Sequence, residues 1–268
     1  MAEERVSSPQ NPWVKRLRWL HSRKGRQRFG QFFAEGTRLL EEAQRAGWRP
    51  ERVFYVPQRL RTPRDYALLQ GWLKRKVLCL EMEESLFLQL ADTESPQGIL
   101  AIFPQRLTPL RDLQPTAGSR YLLLEGLKDP GNVGTLLRTA QAFGVEAVLF
   151  LGGVDPFNPK AVRASMGAIF QMPLVMTSLE EFDRWRGQAR PSLALVASVP
   201  RGGEPLPAFC WPFPFVLALG NEVEGLSQEL LHLADSRVSI PMFGETESLN
   251  VAVAGSVLLY EAWRQRSL

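Results

Sequence analysis

The sequence predicts an α/β protein of two domains, with a mainly parallel sheet in the second domain. Short apolar runs alternate with helical patterns along the 268 residues, as they do in α/β architectures. In the second domain the strand-like runs are apolar throughout, which is typical of strands buried on both faces of a parallel sheet. Polar loops flank these runs, and open α/β sheets bind their ligands at the ends of strands.

The first domain is predicted over residues 1–105 as a compact α/β unit. Asn11 followed by Pro12 combines a favoured N-cap residue with proline at the first helical position, so a helix is expected to begin there. A later helix ends at Gly47, which serves as its C-cap. The predicted helices after the first are 36–47, 63–74 and 83–91, and the predicted strands are 29–34, 52–56, 77–80 and 98–103.

A linker is predicted over residues 106–118, where prolines recur without a sustained apolar period. The second domain then extends over 119–268 and begins with an apolar strand. Its predicted strands are 121–125, 147–151, 174–176, 193–197, 215–219 and 238–240, and its predicted helices are 133–143, 159–170, 179–186, 225–233 and 250–265.

The composition indicates a globular protein of a reducing compartment. Hydrophobic residues make up 45% of the chain, and no apolar run reaches the roughly 20 residues that span a bilayer. The first residues are acidic and polar, so we expect no signal peptide. Cys79 and Cys210 are expected to be core thiols, and with two histidines in the chain we expect no metal site. These features predict a cytoplasmic protein without membrane attachment.

Charge is divided unevenly between the two parts of the chain. Residues 1–105 hold 18 lysines and arginines against 12 acidic residues, whereas residues 106–268 hold 14 against 16. A basic run without acidic residues favours binding to a polyanion such as RNA, and the aromatic residues within it are able to stack on bases. A solvated helix face is the alternative. The residues predicted to contact RNA are Lys15, Arg16, Arg18, Arg23, Lys24, Arg26 and Arg28.

Three of the five asparagines lie in polar loops beside apolar elements. Asn132 follows the first strand of the second domain, Asn221 follows the apolar run 215–219, and Asn250 precedes the last helix. One such asparagine indicates a solvated turn, whereas the set of three indicates a site. The loops contain neither a Gly-x-Gly-x-x-Gly fingerprint nor a P-loop, and neither histidine has a plausible nucleophile setting. Dinucleotide-binding and Ser–His–Asp hydrolase functions are therefore not favoured.

These loops resemble the motifs of the SpoU/TrmH family of RNA 2′-O-ribose methyltransferases. Residues 129–140 resemble its motif 1, residues 219–226 its motif 2, and residues 240–251 its motif 3. Residues 163–168 also fit the family, so that the resemblance covers the whole second domain. The first domain is similar to the small, L30e-like substrate-binding domain of family members, at 9–11 and 33–40.

The resemblance implies a SPOUT methyltransferase domain with a deep trefoil knot, S-adenosylmethionine as methyl donor, and a homodimer formed through the C-terminal domain. In such a dimer one protomer would supply Arg138 to a site completed by the other. Arg138 either accepts the proton of the ribose hydroxyl or binds the adjacent phosphate. The implied catalytic residues are Asn132, Arg138, Glu222, Ser248 and Asn250, and the implied cofactor-binding residues are Leu219, Gly220, Ile240, Met242 and Leu249.

The predicted function is transfer of a methyl group from S-adenosylmethionine to a ribose 2′-hydroxyl in structured RNA. By analogy, the first domain favours 23S rRNA, because relatives that act on tRNA often lack it. A tRNA 2′-O-ribose methyltransferase is the enzymatic alternative. A catalytically silent RNA-binding or ribosome-assembly factor is the alternative of a different class, and the intact set of polar motif residues argues against it.

Overall fold

The structure is a computed structural model that describes residues 5–244 and 248–267. The chain divides into two compact units, which are described separately. The first unit comprises residues 1–105 together with 155–171, and the second comprises residues 106–154 and 172–268. This division differs from the boundaries expected from sequence at two places, because residues 106–118 belong to the second unit and residues 155–171 pack in the first.

The elements of the first 105 residues follow the predicted alternation of helices and strands. They are α1 (Pro12–Leu20), α2 (Arg23–Phe29), β1 (Gln31–Glu35), α3 (Thr37–Arg45), β2 (Arg52–Tyr55), α4 (Pro63–Lys74), β3 (Cys79–Glu81), α5 (Glu84–Leu90) and β4 (Ile99–Pro104).

The elements after residue 105 also alternate, and α7 among them belongs to the first unit. They are β5 (Arg120–Glu125), α6 (Pro130–Ala142), β6 (Ala147–Leu151), α7 (Pro159–Ala164), β7 (Leu174–Met176), α8 (Leu179–Gln188), β8 (Ala194–Ser198), β9 (Glu204–Pro205), β10 (Phe215–Leu219), α9 (Gln228–Leu233), β11 (Ser236–Ser239) and α10 (Val251–Ser267).

The first unit is built on a four-stranded sheet in the order β1-β4-β2-β3. Strands β2 and β3 pair in parallel, and the other pairs are antiparallel. The first helix begins as predicted, because the Asn11 side chain accepts a hydrogen bond from the Trp13 backbone N–H at 2.8 Å. The strand predicted from residue 29 begins only at Gln31, because Phe29 ends α2 and Gly30 caps that helix in the left-handed conformation.

The segment 155–171 completes the core of the first unit. The Phe157 ring lies 4.8 Å from the Phe32 ring, measured between centroids. The indole N–H of Trp48 donates to the Phe170 backbone oxygen at 2.7 Å and is buried there. A buried donor that lost this acceptor would remain unsatisfied, so the segment is an integral part of this unit.

The second unit contains a seven-stranded sheet in the order β7-β6-β5-β10-β8-β11-β9, and every pair in it is parallel. All five residues of the central strand β10 are buried, which accounts for its unbroken apolar sequence. The prediction of an α/β fold with a mainly parallel sheet is confirmed. Cys210 is exposed, contrary to the expectation of a core thiol. None of the helices that the structure describes is long and apolar enough to cross a membrane.

Candidate functional site

The polar loops of the second unit surround a cavity at the carboxyl ends of β8 and β10. Its volume of about 340 Å³ lies within the usual range of small-molecule sites. Of the ten residues predicted for catalysis and cofactor binding, eight line the cavity. They are Leu219, Gly220, Glu222, Ile240, Met242, Ser248, Leu249 and Asn250.

Three side chains from separate segments, the first turn of α6, the loop after β10 and the start of α10, form one hydrogen-bonded chain, here called the polar loop network. The amide of Asn132 donates to a Glu222 carboxylate oxygen at 2.8 Å. The amide of Asn250 donates to the Asn132 side-chain oxygen at 3.0 Å. Asn132 does not line the cavity, but these bonds hold it to two residues that do. The structure therefore brings together residues from all three motifs.

The carboxylate of Glu222 is held by backbone donors as well. The N–H groups of Lys128 and Asp129 donate to it at 3.2 and 3.4 Å. Partial burial acts to raise its pKa, but the bonds from Asn132 and from backbone N–H groups outweigh burial and leave the pKa of Glu222 below its ordinary value. The carboxylate is therefore ionised at neutral pH and accepts these bonds in full.

Asn132 and Asn250 are oriented by the helices that begin beside them. Asp129 caps α6 by accepting from the backbone N–H groups of Gly131 and Asn132 at 2.5 and 3.2 Å, so that the helix begins before residue 133, its predicted start. The side-chain oxygen of Asn250 accepts from the N–H groups of Ala252 and Val253, and it caps α10 in the same way. The cap uses the side-chain oxygen of Asn250, so its side-chain N–H group is available to donate to the Asn132 side-chain oxygen.

Gly220 is required by the shape of its own loop. Asn221 and Gly225 exchange two backbone hydrogen bonds of 3.1 Å, which fold the chain back on itself. A Cβ atom added at Gly220 would lie 2.0 Å from the carbonyl carbon of Gly225. Its place at the end of an apolar strand also indicates a second reason for glycine, a position where a ligand approaches the backbone closely. The structure supplies a reason internal to the protein.

Two groups of residues at this site were not identified from the sequence. Glu125, at the end of β5, accepts hydrogen bonds from the backbone N–H and hydroxyl of Ser227 at 2.8 and 2.7 Å, and so anchors the loop after β10. Residues 198–200, which comprise the last residue of β8 and the two that follow it, line the cavity. Their position at the carboxyl end of a parallel strand is the signal that would have indicated them.

Arg138 lies apart from the cavity in its own chain. It is exposed on α6 and does not line the cavity. Among the residues that the structure describes, none forms a hydrogen bond or an ion pair with it. The structure thus leaves this guanidinium available to a group outside the chain.

The basic run of the first unit contains one residue that differs from the rest. Arg26 is 1% exposed, and its Nε lies 2.6 Å from a carboxylate oxygen of Asp155. It also donates to the backbone oxygens of Leu20 and His21. The expectation that Arg26 contacts RNA is therefore corrected, since its donors are used inside the protein. Arg16 is half-buried, and the other predicted residues are exposed: Lys15, Arg18, Arg23, Lys24 and Arg28.

Comparison with known proteins gives matches in both parts of the chain. Residues 119–260 match the SpoU rRNA Methylase family, and residues 11–101 match the MRM3-like substrate binding domain. The chain is 36% identical to an uncharacterized tRNA/rRNA methyltransferase, slr1673, of Synechocystis, over 97% of this chain and 94% of that protein.

Two further relatives match over almost their whole length. The 23S rRNA (guanosine(2553)-2′-O)-methyltransferase RlmP of Bacillus subtilis is 31% identical, over 96% of this chain and 98% of that protein. The crystal structure of an AdoMet-bound rRNA methyltransferase from Sinorhizobium meliloti superposes with a TM-score of 0.88 at 35% identity, and the match covers 97% of each chain.

Proposed function

Since the chain belongs to the SpoU rRNA methylase family, as its motifs predicted, we propose that it transfers a methyl group from S-adenosylmethionine to a ribose 2′-hydroxyl of 23S rRNA. The observation that carries the proposal is the polar loop network beside the cavity, where residues of three motifs converge. The match of residues 11–101 to a substrate-binding domain supports a structured rRNA substrate.

The cavity has the chemistry that S-adenosylmethionine requires. Its walls combine the apolar side chains of Leu219, Ile240, Met242 and Leu249 with loop backbone at the ends of strands. Such walls are able to hold an adenine ring and a methionine chain through packing and backbone hydrogen bonds. When bound, S-adenosylmethionine supplies an electrophilic methyl group on a sulfonium.

The polar residues act on the RNA. A ribose hydroxyl is a weak nucleophile, so the site must orient it and remove its proton. Arg138 binds the adjacent phosphate or accepts that proton, and because arginine keeps its charge in proteins the phosphate contact is the better supported role. Asn132, Glu222, Ser248 and Asn250 form the hydrogen-bonded floor against which the hydroxyl is oriented, and orientation of this kind supplies much of the rate.

The active form is a homodimer in which Arg138 serves the partner's cavity. The position of Arg138 outside its own cavity supports this arrangement. A second support is an exposed apolar stripe on α10, where Val253, Val257, Tyr260 and Trp263 are 39–50% exposed at helical spacing. The packing of α10 against α6 is compatible with the trefoil knot of the family.

The first unit and the cellular location of the protein complete the proposed function. The first unit is the L30e-like domain that binds RNA through the exposed part of its basic run, and the protein acts in the cytoplasm. We keep the functional division of the sequence at 1–105 for RNA binding, 106–118 as linker and 119–268 for methyl transfer, although residues 155–171 of the last range pack in the first unit. The family match at 119–260 supports the last of these.

Incorporation of labelled methyl groups into 23S rRNA tests the proposed function. Arg138→Ala should retain S-adenosylmethionine binding and lose turnover by about 100-fold or more, because the hydroxyl is no longer oriented. Arg184→Ala, which alters another exposed helical arginine, is the matched control and should remain active. If the wild-type protein methylates tRNA but not 23S rRNA, the proposed substrate is wrong and tRNA takes its place.

Mixing two inactive variants tests the shared site. Arg138→Ala and Asn250→Ala reassort at random into dimers, of which about half are mixed. If Arg138 crosses to the partner, each mixed dimer holds one intact site, and the mixture regains about a quarter of the wild-type activity. A mixture that stays inactive after subunit exchange has been verified would refute the shared site and leave the methyltransferase function standing.

A further inference from the structure

The surface around α1 and α2 carries an alternating series of guanidinium groups and aromatic rings, here called the arginine ladder. Each guanidinium carbon is 3.9–5.7 Å from the centroid of the next ring, and cation–π pairs occur about once in 70–80 residues of an ordinary protein. Their concentration here therefore calls for a physical reason. In spatial order, the members are Arg52, Trp13, Arg16, Phe29, Arg28 and Trp19.

The arginines of the ladder contact different partners from other arginines of this unit, which form ion pairs. Arg59 pairs with Glu84 at 2.7 Å, and Arg163 pairs with Asp92. By contrast, Arg28 forms no ion pair within the described part of the chain. A guanidinium held over a ring keeps its charge, and its edge N–H groups remain able to bind an acceptor. Arg16 and Arg52 use one such group inside the protein, on the Gln31 side chain and the Glu51 backbone oxygen. The ladder therefore orders positive charge without neutralising it.

The backbone that carries the ladder is fixed by close packing at the turn between α1 and α2. A Cβ atom added at Gly25 would lie 1.9 Å from the Trp19 backbone oxygen, so the two helices approach as closely as glycine allows. The buried Arg26 donates to the backbone oxygens of Leu20 and His21 at 2.8 and 3.0 Å. The turn that follows Trp19 is thus held rigidly in position.

Trp19 is the most exposed ring of the ladder, although the backbone beside it is closely packed. Its side chain is 43% exposed at the end of the ladder, next to Arg28. Lys15, Arg18 and Lys24 of the same two helices are also exposed, and no acidic residue lies between positions 15 and 28 of the sequence. A flat ring thus stands at the edge of a concentrated positive surface.

We infer that the end of the ladder is a docking site for an unpaired nucleotide of the RNA, whose base stacks on Trp19 while a flanking phosphate binds Arg28. An indole ring stacks on a base of any sequence, provided that the base is not already stacked inside a duplex. Paired RNA would offer the same phosphates without the stacking. The inference rests on the proposed function for its choice of RNA, and it deepens that function by specifying a looped or bulged substrate.

Binding of two RNA probes to the full-length protein tests the inference. One probe is a hairpin with a single-stranded loop, and the other is a fully paired duplex with the same number of phosphates. Trp19→Leu should weaken hairpin binding by about 5- to 150-fold, the range expected for the loss of one stacked base, and should leave duplex binding unchanged. Tyr66→Leu, which replaces an aromatic residue of α4 that is 51% exposed, is the matched control and should change neither.

A charge-conserving variant and a cross-link separate stacking from charge. Arg28→Lys should weaken hairpin binding with an unchanged salt slope, because the positive charge remains while the planar guanidinium and its fork of N–H donors are removed. If Trp19→Leu fails to fold, wild-type protein irradiated with a hairpin carrying 5-bromouridine in its loop provides the readout. A cross-link at Trp19 is expected, and a cross-link confined to other residues overturns the inference.

The outcomes distinguish this inference from the proposed function. Equal weakening of hairpin and duplex by Trp19→Leu, or no weakening of either, overturns the docking site even if the wild type methylates 23S rRNA. Conversely, selective hairpin binding through Trp19 in a protein that methylates no rRNA would leave the docking site intact and refute the function.

Discussion

The polar loop network of the second unit and the basic surface of α1 and α2 are both polar, yet their atoms are satisfied in opposite ways. In the network, Asn132, Glu222 and Asn250 bond to one another and to backbone groups. On the basic surface, the guanidinium groups of Arg16 and Arg28 lie over aromatic rings, and neither has a carboxylate partner in the part of the chain that the structure describes. A self-contained network preserves a geometry, whereas an ordered but unneutralised surface binds a partner of opposite charge. We therefore expect the two regions to respond to different perturbations.

The largest expected effect concerns Arg26, the buried arginine of the basic run, which belongs neither to the polar loop network nor to the exposed basic surface. Arg26→Ala should lower the free energy of unfolding by about 3–5 kcal/mol, because Asp155 would be left as an unpaired carboxylate that is only 12% exposed. Arg18→Ala on the exposed face should change it by less than about 0.5 kcal/mol. Urea denaturation measures both values. Equal small effects would mean that Arg26 is interchangeable with its exposed neighbours.

The next effect concerns the loop that closes on Gly220. Gly220→Ala should lower the free energy of unfolding by about 1–3 kcal/mol, because the new methyl group meets the backbone of Gly225. Gly187→Ala is the matched control, since its Cβ meets nothing within 4 Å in α8, and it should stabilise by about 0.5–1 kcal/mol. Loss of S-adenosylmethionine binding with unchanged stability would instead favour the sequence-based explanation, close approach of the ligand.

The third effect, of intermediate size, is the dependence of RNA binding on salt concentration, which should involve the basic surface and not the cavity. Reversing Lys15, Arg18 and Lys24 to glutamate should weaken RNA binding and flatten its dependence on the logarithm of salt concentration, by about 0.7–0.9 for each phosphate that the protein no longer neutralises. Affinity for S-adenosylmethionine, measured by calorimetry, should not change. An unchanged salt slope would return this surface to the alternative of a solvated helix face.

The smallest effect is a difference in pH dependence between two carboxylates. Hydrogen bonds outweigh partial burial and lower the pKa of Glu222, so its stabilisation is present above the unfolded value near 4.5 and is lost as the pH falls through the folded value. Burial raises the pKa of Glu35 in the first unit. The contribution of Glu35 to the free energy of unfolding is therefore fully present below the unfolded pKa near 4.5, and it is lost as the pH rises through the folded pKa.

Unfolding measured from pH 3 to pH 7 therefore provides a paired test. Glu222→Gln should reduce the loss of stability on acidification. Glu35→Gln should show its largest gain over wild type at neutral pH, because it removes a buried charge there. Shifts in the same direction for both variants would contradict the distinction between the two environments.

Much of the fold followed from local signals in the sequence. The helix Pro63–Lys74 and the strands Ala147–Leu151, Leu174–Met176 and Phe215–Leu219 have the predicted bounds, because their apolar patterns and terminal residues are encoded within each segment. The two-residue strand β9 was missed, since it exists only through pairing with β11. Helix α2 was missed because its basic sequence has no apolar period, and its start depends on the Ser22 cap.

The site was predictable in its members and less so in their arrangement. The motifs identified Asn132, Glu222 and Asn250, but no local pattern shows that their side chains bond to each other. Within the basic run, nothing distinguishes Arg26 from its neighbours, because its partner Asp155 lies 129 positions away. Tertiary contacts of this kind are absent from any local window of the sequence, and they decide which polar residue is structural.

The segment 155–171 has a consequence for the order of events during synthesis. It supplies Asp155, Phe157 and the Phe170 carbonyl to the first unit, yet residues 106–154 leave the ribosome before it. At about 5–20 residues per second, the nascent first unit waits several seconds for these groups. Strands β5 and β6 of the second sheet have by then been synthesised. Synthesis must therefore reach residue 171, past the first strands of the second unit, before the first unit is able to complete its core.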